Sequence, residues 1–141
     1  LAALRNAFAL VFGLFVGGCV NIALVTAGPA AFALPAGVDA TRPESLAASV
    51  HLLEPRHFVF PFLAHALGTL VGAFVAHLGA ATRRWTFAWA VGVAFLAGGV
   101  MASRMIPAPA WFVALDLVAA YLPTAWLGGS LAARVRPVVS P

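Results

Sequence analysis

The chain has no lysine, one cysteine and only four acidic residues among 141. A single thiol, Cys19, excludes an intrachain disulfide framework and the paired cysteines of a thiol oxidoreductase. Charged residues make up 9% of the sequence, against about a quarter in a soluble domain. A water-soluble chain so composed would lack the polar surface to cover itself. No serine or cysteine stands beside a histidine in a recognisable nucleophile motif, and no glycine-rich loop is placed to cradle phosphate. The basic residues are eight arginines, most of them at the ends of apolar runs. That placement is a topology signal rather than a nucleic-acid footprint, so nucleic acid is not an expected partner.

What is present is apolar. Hydrophobic residues make up 63% of the chain and gather over 7–25, 57–78, 85–105 and 111–131. Each run has about the twenty residues needed to cross a hydrocarbon core. The expected fold is all-α: one integral membrane domain over 1–141, a four-transmembrane-helix bundle with a short interfacial helix between spans 1 and 2. Gly28-Pro29 and Pro35 are expected to end the first span. Thr41-Arg-Pro-Glu44 matches a capping box, which predicts the interfacial helix over 43–53 with Leu46, Val50 and Leu53 turned to lipid or bundle. Glu54-Pro55 reads as the start of the second span, and Pro123 as a kink in the fourth.

Arg5, Arg83, Arg84, Arg134 and Arg136 fall on one side of the four runs. Arg42, Arg56 and Arg104 fall on the other, with Asp39, Glu44 and Glu54. The positive-inside rule then puts both termini in the cytoplasm and the long connection outside.

Helical phase sorts the polar residues. At about 100° per residue, His57, Pro61, Ala64, His65, Gly68, Gly72 and Ala76 share an arc of roughly 120° on the second span. Gly13, Gly17 and Asn21 share a face of the first span, and Asp116, Ala119, Ala120 and Pro123 a face of the fourth. Such small-residue faces let helices approach closely in lipid. With the termini inside, Asn21, His65 and Asp116 all lie roughly 6–12 Å below the outer surface, at about 1.5 Å per residue. An ionised Asp116 in hydrocarbon requires a partner, and His65 is the candidate. Glu54, His57 and His51 lie above, at the mouth. His77, on another face at the inner end, is expected to reach the headgroups.

Three chemistries fit this set. Asn21, His65 and Asp116, with Glu54 and His57 at the entrance, can form an outward-facing polar pocket for a small molecule, a lipid headgroup or a proton. Alternatively the buried polar residues only fix helix register, and the protein is an accessory or structural subunit of a larger membrane complex or a homo-oligomer. The third reading is a metal-dependent enzyme. Glu54-x-x-His57 has the spacing of helical carboxylate sites, and His51, His65 and Asp116 would complete the ligands. The sequence names no cofactor and no catalytic residue.

Segments 35–39 (Pro-Ala-Gly-Val-Asp), 54–69 (Glu-Pro-Arg-His-Phe-Val-Phe-Pro-Phe-Leu-Ala-His-Ala-Leu-Gly-Thr) and 107–116 (Pro-Ala-Pro-Ala-Trp-Phe-Val-Ala-Leu-Asp) resemble a group of small bacterial four-span membrane proteins with no established activity. The resemblance implies a four-span architecture and a bacterial inner membrane, and nothing about mechanism.

Overall fold

The structure is a computed structural model that describes residues 1–136. They form helices α1 (Ala2–Ala31), α2 (Pro43–Ser49), α3 (Val59–Gly79), α4 (Arg84–Met105), α5 (Ala110–Ala119) and α6 (Leu122–Val135), with 3-10 turns at Val50–Leu52 and Pro55–Phe58. No strand occurs among the described residues. Four segments are long and apolar enough to cross a membrane: Ala2–Ala31, Pro55–Gly79, Arg84–Met105 and Ala110–Val135.

The interior is built from small side chains. Ala64, Ala73, Ala76, Ala88, Ala125 and Ala132 are buried, and the largest fully buried side chains are Tyr121, Val91 and Thr69. Phe8, Val11, Phe15, Ile22 and Val118 point outward. Lipid tails solvate such side chains as well as a protein core does, so burying them gains little. Close backbone approach gains dispersion, and that requires small residues.

α3 is the central helix, packed on α1, α4 and α6. Gly13 and Gly17 of α1 face Gly72 and Gly68 of α3. A Cβ on Gly17 would stand 2.5 Å from the Gly68 carbonyl oxygen, and one on Gly72 2.9 Å from that of Gly13. The two glycine pairs read from the sequence are thus halves of one seam. On another side of α3, Gly128 of α6 lies against the Leu70 carbonyl and the Phe74 amide.

Four local expectations are corrected. α1 continues through Gly28-Pro29 to Ala31. Pro29 forfeits one hydrogen bond, whereas unravelling the last turn in apolar surroundings would strand several groups. The capping box at Thr41 does not form: α2 starts after Arg42 with no side-chain cap. Thr41 instead donates both its hydroxyl, at 2.6 Å, and its N–H, at 2.8 Å, to the Asp39 carboxylate. These bonds, with Arg42 nearby, hold the Asp39 carboxyl below the usual carboxylate range. The fourth span is two helices rather than one kinked helix, broken at Ala120 and Tyr121. His77 does not reach outward; it is buried and packs edge-on against Trp85 at 5.1 Å.

The glycine seam makes a direct prediction. Gly72→Ile drives a branched side chain into the α1 backbone and should cost about 1–3 kcal/mol. Gly18→Ile and Gly98→Ile, where a Cβ meets nothing within 4 Å, should stay near neutral. Chemical denaturation in mixed micelles measures all three, and equal losses would mean that the seam is not a tight contact.

Candidate functional site

The site begins with the break in the fourth span. Pro123, near the start of α6, has no N–H for the helix to continue through. In an unbroken helix, residues five apart stand about 140° apart around the axis. The interruption at Ala120 and Tyr121 lets the Tyr121 hydroxyl turn back to Asp116, donating to Oδ2 at 2.9 Å. His65, on α3, supplies the second contact: its Nδ1 lies 2.8 Å from Oδ1 and 2.9 Å from Oδ2. The His65 and Tyr121 rings stack, with centroids 5.6 Å apart and an interplanar angle of 27°. Asp116 is 5% exposed and Tyr121 is 1% exposed. A buried carboxylate therefore holds two donors from two other positions in the chain.

Nδ1 is the His65 ring nitrogen that the carboxylate engages. That leaves Nε2, which makes no hydrogen bond among the described residues. His65 and Asp116 line a partly open cavity of about 220 Å³. Its remaining walls are mostly apolar: Val25 and Gly28 of α1, Leu46 of α2, Phe60 of α3, Gly99 and Ser103 of α4, and Phe112 of α5. Leu34 and Ala40 of the long connection also contribute, as do Val50 and Leu53. The connection and α2 thus form part of the cavity wall, with Leu46, Val50 and Leu53 turned into it.

The other candidates are placed differently. Asn21 packs its Cβ against Gly68, does not line the cavity and makes no side-chain bond among the described residues. The expected layer of Asn21, His65 and Asp116 is therefore not a contact network; Tyr121 is the third member. His57 lines the cavity, but both its ring nitrogens are engaged. Nδ1 accepts the Glu54 N–H at 2.8 Å, and Nε2 donates to the Ala33 carbonyl at 3.1 Å. His57 is thus a clasp between the start of the second span and the connection leaving α1. Glu54 is exposed and pairs with exposed Arg56 at 3.1 Å, a contact of small energetic weight. His51 is exposed on its 3-10 turn. Among the described residues no three of His, Cys, Asp or Glu gather as metal ligands. The candidate ligand set of His51, Glu54, His57, His65 and Asp116 does not converge, because capping consumes the His57 lone pair and Glu54 faces away.

Tyr121 was not among the sequence candidates. Its signals were present: it is the only tyrosine in the chain, two residues before Pro123 and five after the only intraspan acid. Reading the span as one helix put the two residues on different faces.

Tyr121→Phe removes a donor to a buried carboxylate and should cost about 1.5–3 kcal/mol. Combined with Asp116→Asn it should be non-additive by about 0.5–3 kcal/mol, measured as a double-mutant cycle of denaturation free energies. Strict additivity would contradict the contact. Gly99→Ala should mimic Tyr121→Phe, since its Cβ would collide with the Tyr121 hydroxyl.

The chain matches no protein-family model, no curated protein and no solved structure at a significant level of similarity.

Proposed function

We propose that the protein is a small-molecule binding or transport protein of the membrane, with the cavity beside His65 and Asp116 as its site. The observation that carries this reading is the uncommitted Nε2 of His65, on a ring oriented by a buried carboxylate, in an otherwise apolar pocket. Neutral His65 offers Nε2 as an acceptor to a ligand hydroxyl; protonated, it offers a donor to a ligand carbonyl. A pair serving register alone would need no adjoining cavity. About 220 Å³ holds a small ring or short chain. A larger ligand would extend through its opening. The ligand class is therefore an apolar body with one hydrogen-bonding head, as carried by molecules dissolved in a bilayer. Phe60 and Phe112 suit a flat or ring-bearing body.

We infer a bacterial inner membrane, from the resemblance noted above, with both termini cytoplasmic. Five arginines at the end carrying the termini support that orientation.

Native mass spectrometry of protein extracted gently from its membrane tests the site. Wild type should carry a small molecule that His65→Ala loses and that Ala102→Phe, which fills the cavity while keeping both members of the pair, also loses. Retention in both variants, with only stability lowered, would leave the pair a register device. Orientation is checked by labelling single cysteines at Ala36 and Thr82 in a Cys19→Ser background. Ala36→Cys should react with an impermeant maleimide from outside and Thr82→Cys should not; the reverse pattern inverts the topology.

A further inference from the structure

At the end of the bundle that carries the termini, arginines from three helices or helix ends converge on one place. Arg5, in the first turn of α1, donates Nε to the Gly79 carbonyl at 2.9 Å. Arg136, at the end of α6, donates Nη1 to the Leu78 carbonyl at 2.8 Å. Arg84, the first residue of α4, donates Nη1 to the Arg136 carbonyl at 3.0 Å. Arg5 and Arg136 thus close on the C-terminus of α3, and Arg84 joins them through the backbone of Arg136. The helix dipole there favours positive charge, but its carbonyl end amounts to only about half an elementary charge. Three guanidinium groups exceed that several-fold.

No carboxylate side chain compensates them. All four acidic residues lie elsewhere: Asp39, Glu44 and Glu54 at the opposite end, and Asp116 on His65 and Tyr121. Arg83 and Arg134 add charge at the same end. Both helices that start here, α1 and α4, have no side-chain cap and no acidic residue in the first turn. Arg83 holds a left-handed backbone, φ 46°, immediately before α4, a conformation unfavourable for a residue with a side chain. The neighbouring Arg84 guanidinium, together with desolvation and Arg5, holds Arg136 below the usual arginine range. Each guanidinium has five N–H donors, and the carbonyl contacts use only part of them.

We propose that Arg5, Arg84 and Arg136 form a binding site for the phosphate headgroup of an anionic membrane lipid. Carbonyl contacts on one edge of each guanidinium fix the side chains, and their remaining N–H groups present a planar, charge-assisted fork to phosphate oxygens. The site lies where the four spans end and where Trp85, partly exposed in the first turn of α4, suits the headgroup level. It is independent of the cavity at the opposite end. A lipid here would screen the mutual repulsion of the arginines and join the ends of α1, α3, α4 and α6.

The probe is dioleoyl phosphatidylglycerol against dioleoyl phosphatidylcholine, titrated onto the purified full chain and read by native mass spectrometry. Wild type should prefer the anionic lipid at least about tenfold. Arg84→Gln and Arg136→Gln should each reduce that preference about fivefold or more, and Arg134→Gln, whose exposed side chain makes no hydrogen bond among the described residues, should reduce it less. Equal losses at Arg134 and Arg136 would mean diffuse surface attraction and overturn the site. So would the absence of any preference in wild type, a result that needs no variant to fold. Inorganic phosphate added at millimolar concentration should not displace the lipid; full displacement would assign the site to free phosphate and overturn the lipid reading.

Discussion

A carboxylate among apolar helices has to be satisfied by protein, and Asp116 shows how much of this bundle follows from that requirement. An unpaired charge at this position would cost several kcal/mol. Two donors reach it, one from α3 and one from beyond a break in its own span. The break is not incidental. A straight fourth span would hold Tyr121 away from Asp116 and leave the largest buried side chain of the interior without its polar contact. Pro123 begins a new helix at the position that lets the chain fold back. Gly99 leaves the space that the phenol occupies. One buried charge thus accounts for a proline, a glycine, the lone tyrosine and the division of a span.

The cavity sits where the contact between α1 and α3 changes character. Near the end carrying the termini, glycines meet backbone to backbone, Gly13 on Gly72 and Gly17 on Gly68. Toward the long connection the contact changes character. Gly28 meets the Phe60 side chain instead of α3 backbone. The cavity lies at this level, lined by Gly28, Phe60 and His65. The His65–Asp116 pair supplies the buried polar part of its lining.

The four spans, the small-residue faces and the His65–Asp116 contact were legible because they depend on length, hydropathy and helical phase. These survive without knowledge of neighbours. The polar layer that included Asn21 does not form, because the face Asn21 shares with Gly13 and Gly17 packs on Gly68 and Gly72 rather than on the cavity. The capping box at Thr41 does not form: its hydroxyl oxygen would have to accept the N–H of Glu44, and the side chain is instead turned to donate to Asp39, two residues back. Tyr121 was invisible for a related reason. Its role exists only after the helix breaks, and phase arithmetic assumes that it does not. The candidate metal ligands shared a stretch of sequence but not a direction.

The two ends of the bundle are held by different means, and the difference bears on where motion is affordable. At the end carrying the termini, the Asn6 carbonyl oxygen accepts the N–H groups of Ala81 and Thr82 while its amide donates to the Thr82 hydroxyl. Arg5 and Arg136 add contacts to the carbonyls that end α3. Every adjoining helix is tied there through backbone acceptors. At the opposite end, α2 contributes Leu46 to the cavity wall but has no buried residue. The connection is fastened to the second span by the hydrogen bond from His57 to Ala33. Local opening takes the segment with the fewest buried contacts, so the covering segment opens before the bundle does. Under the proposed binding role, a ligand would enter beneath this cover while the glycine seam stays closed. Access and stability are then carried by opposite ends of the same four spans.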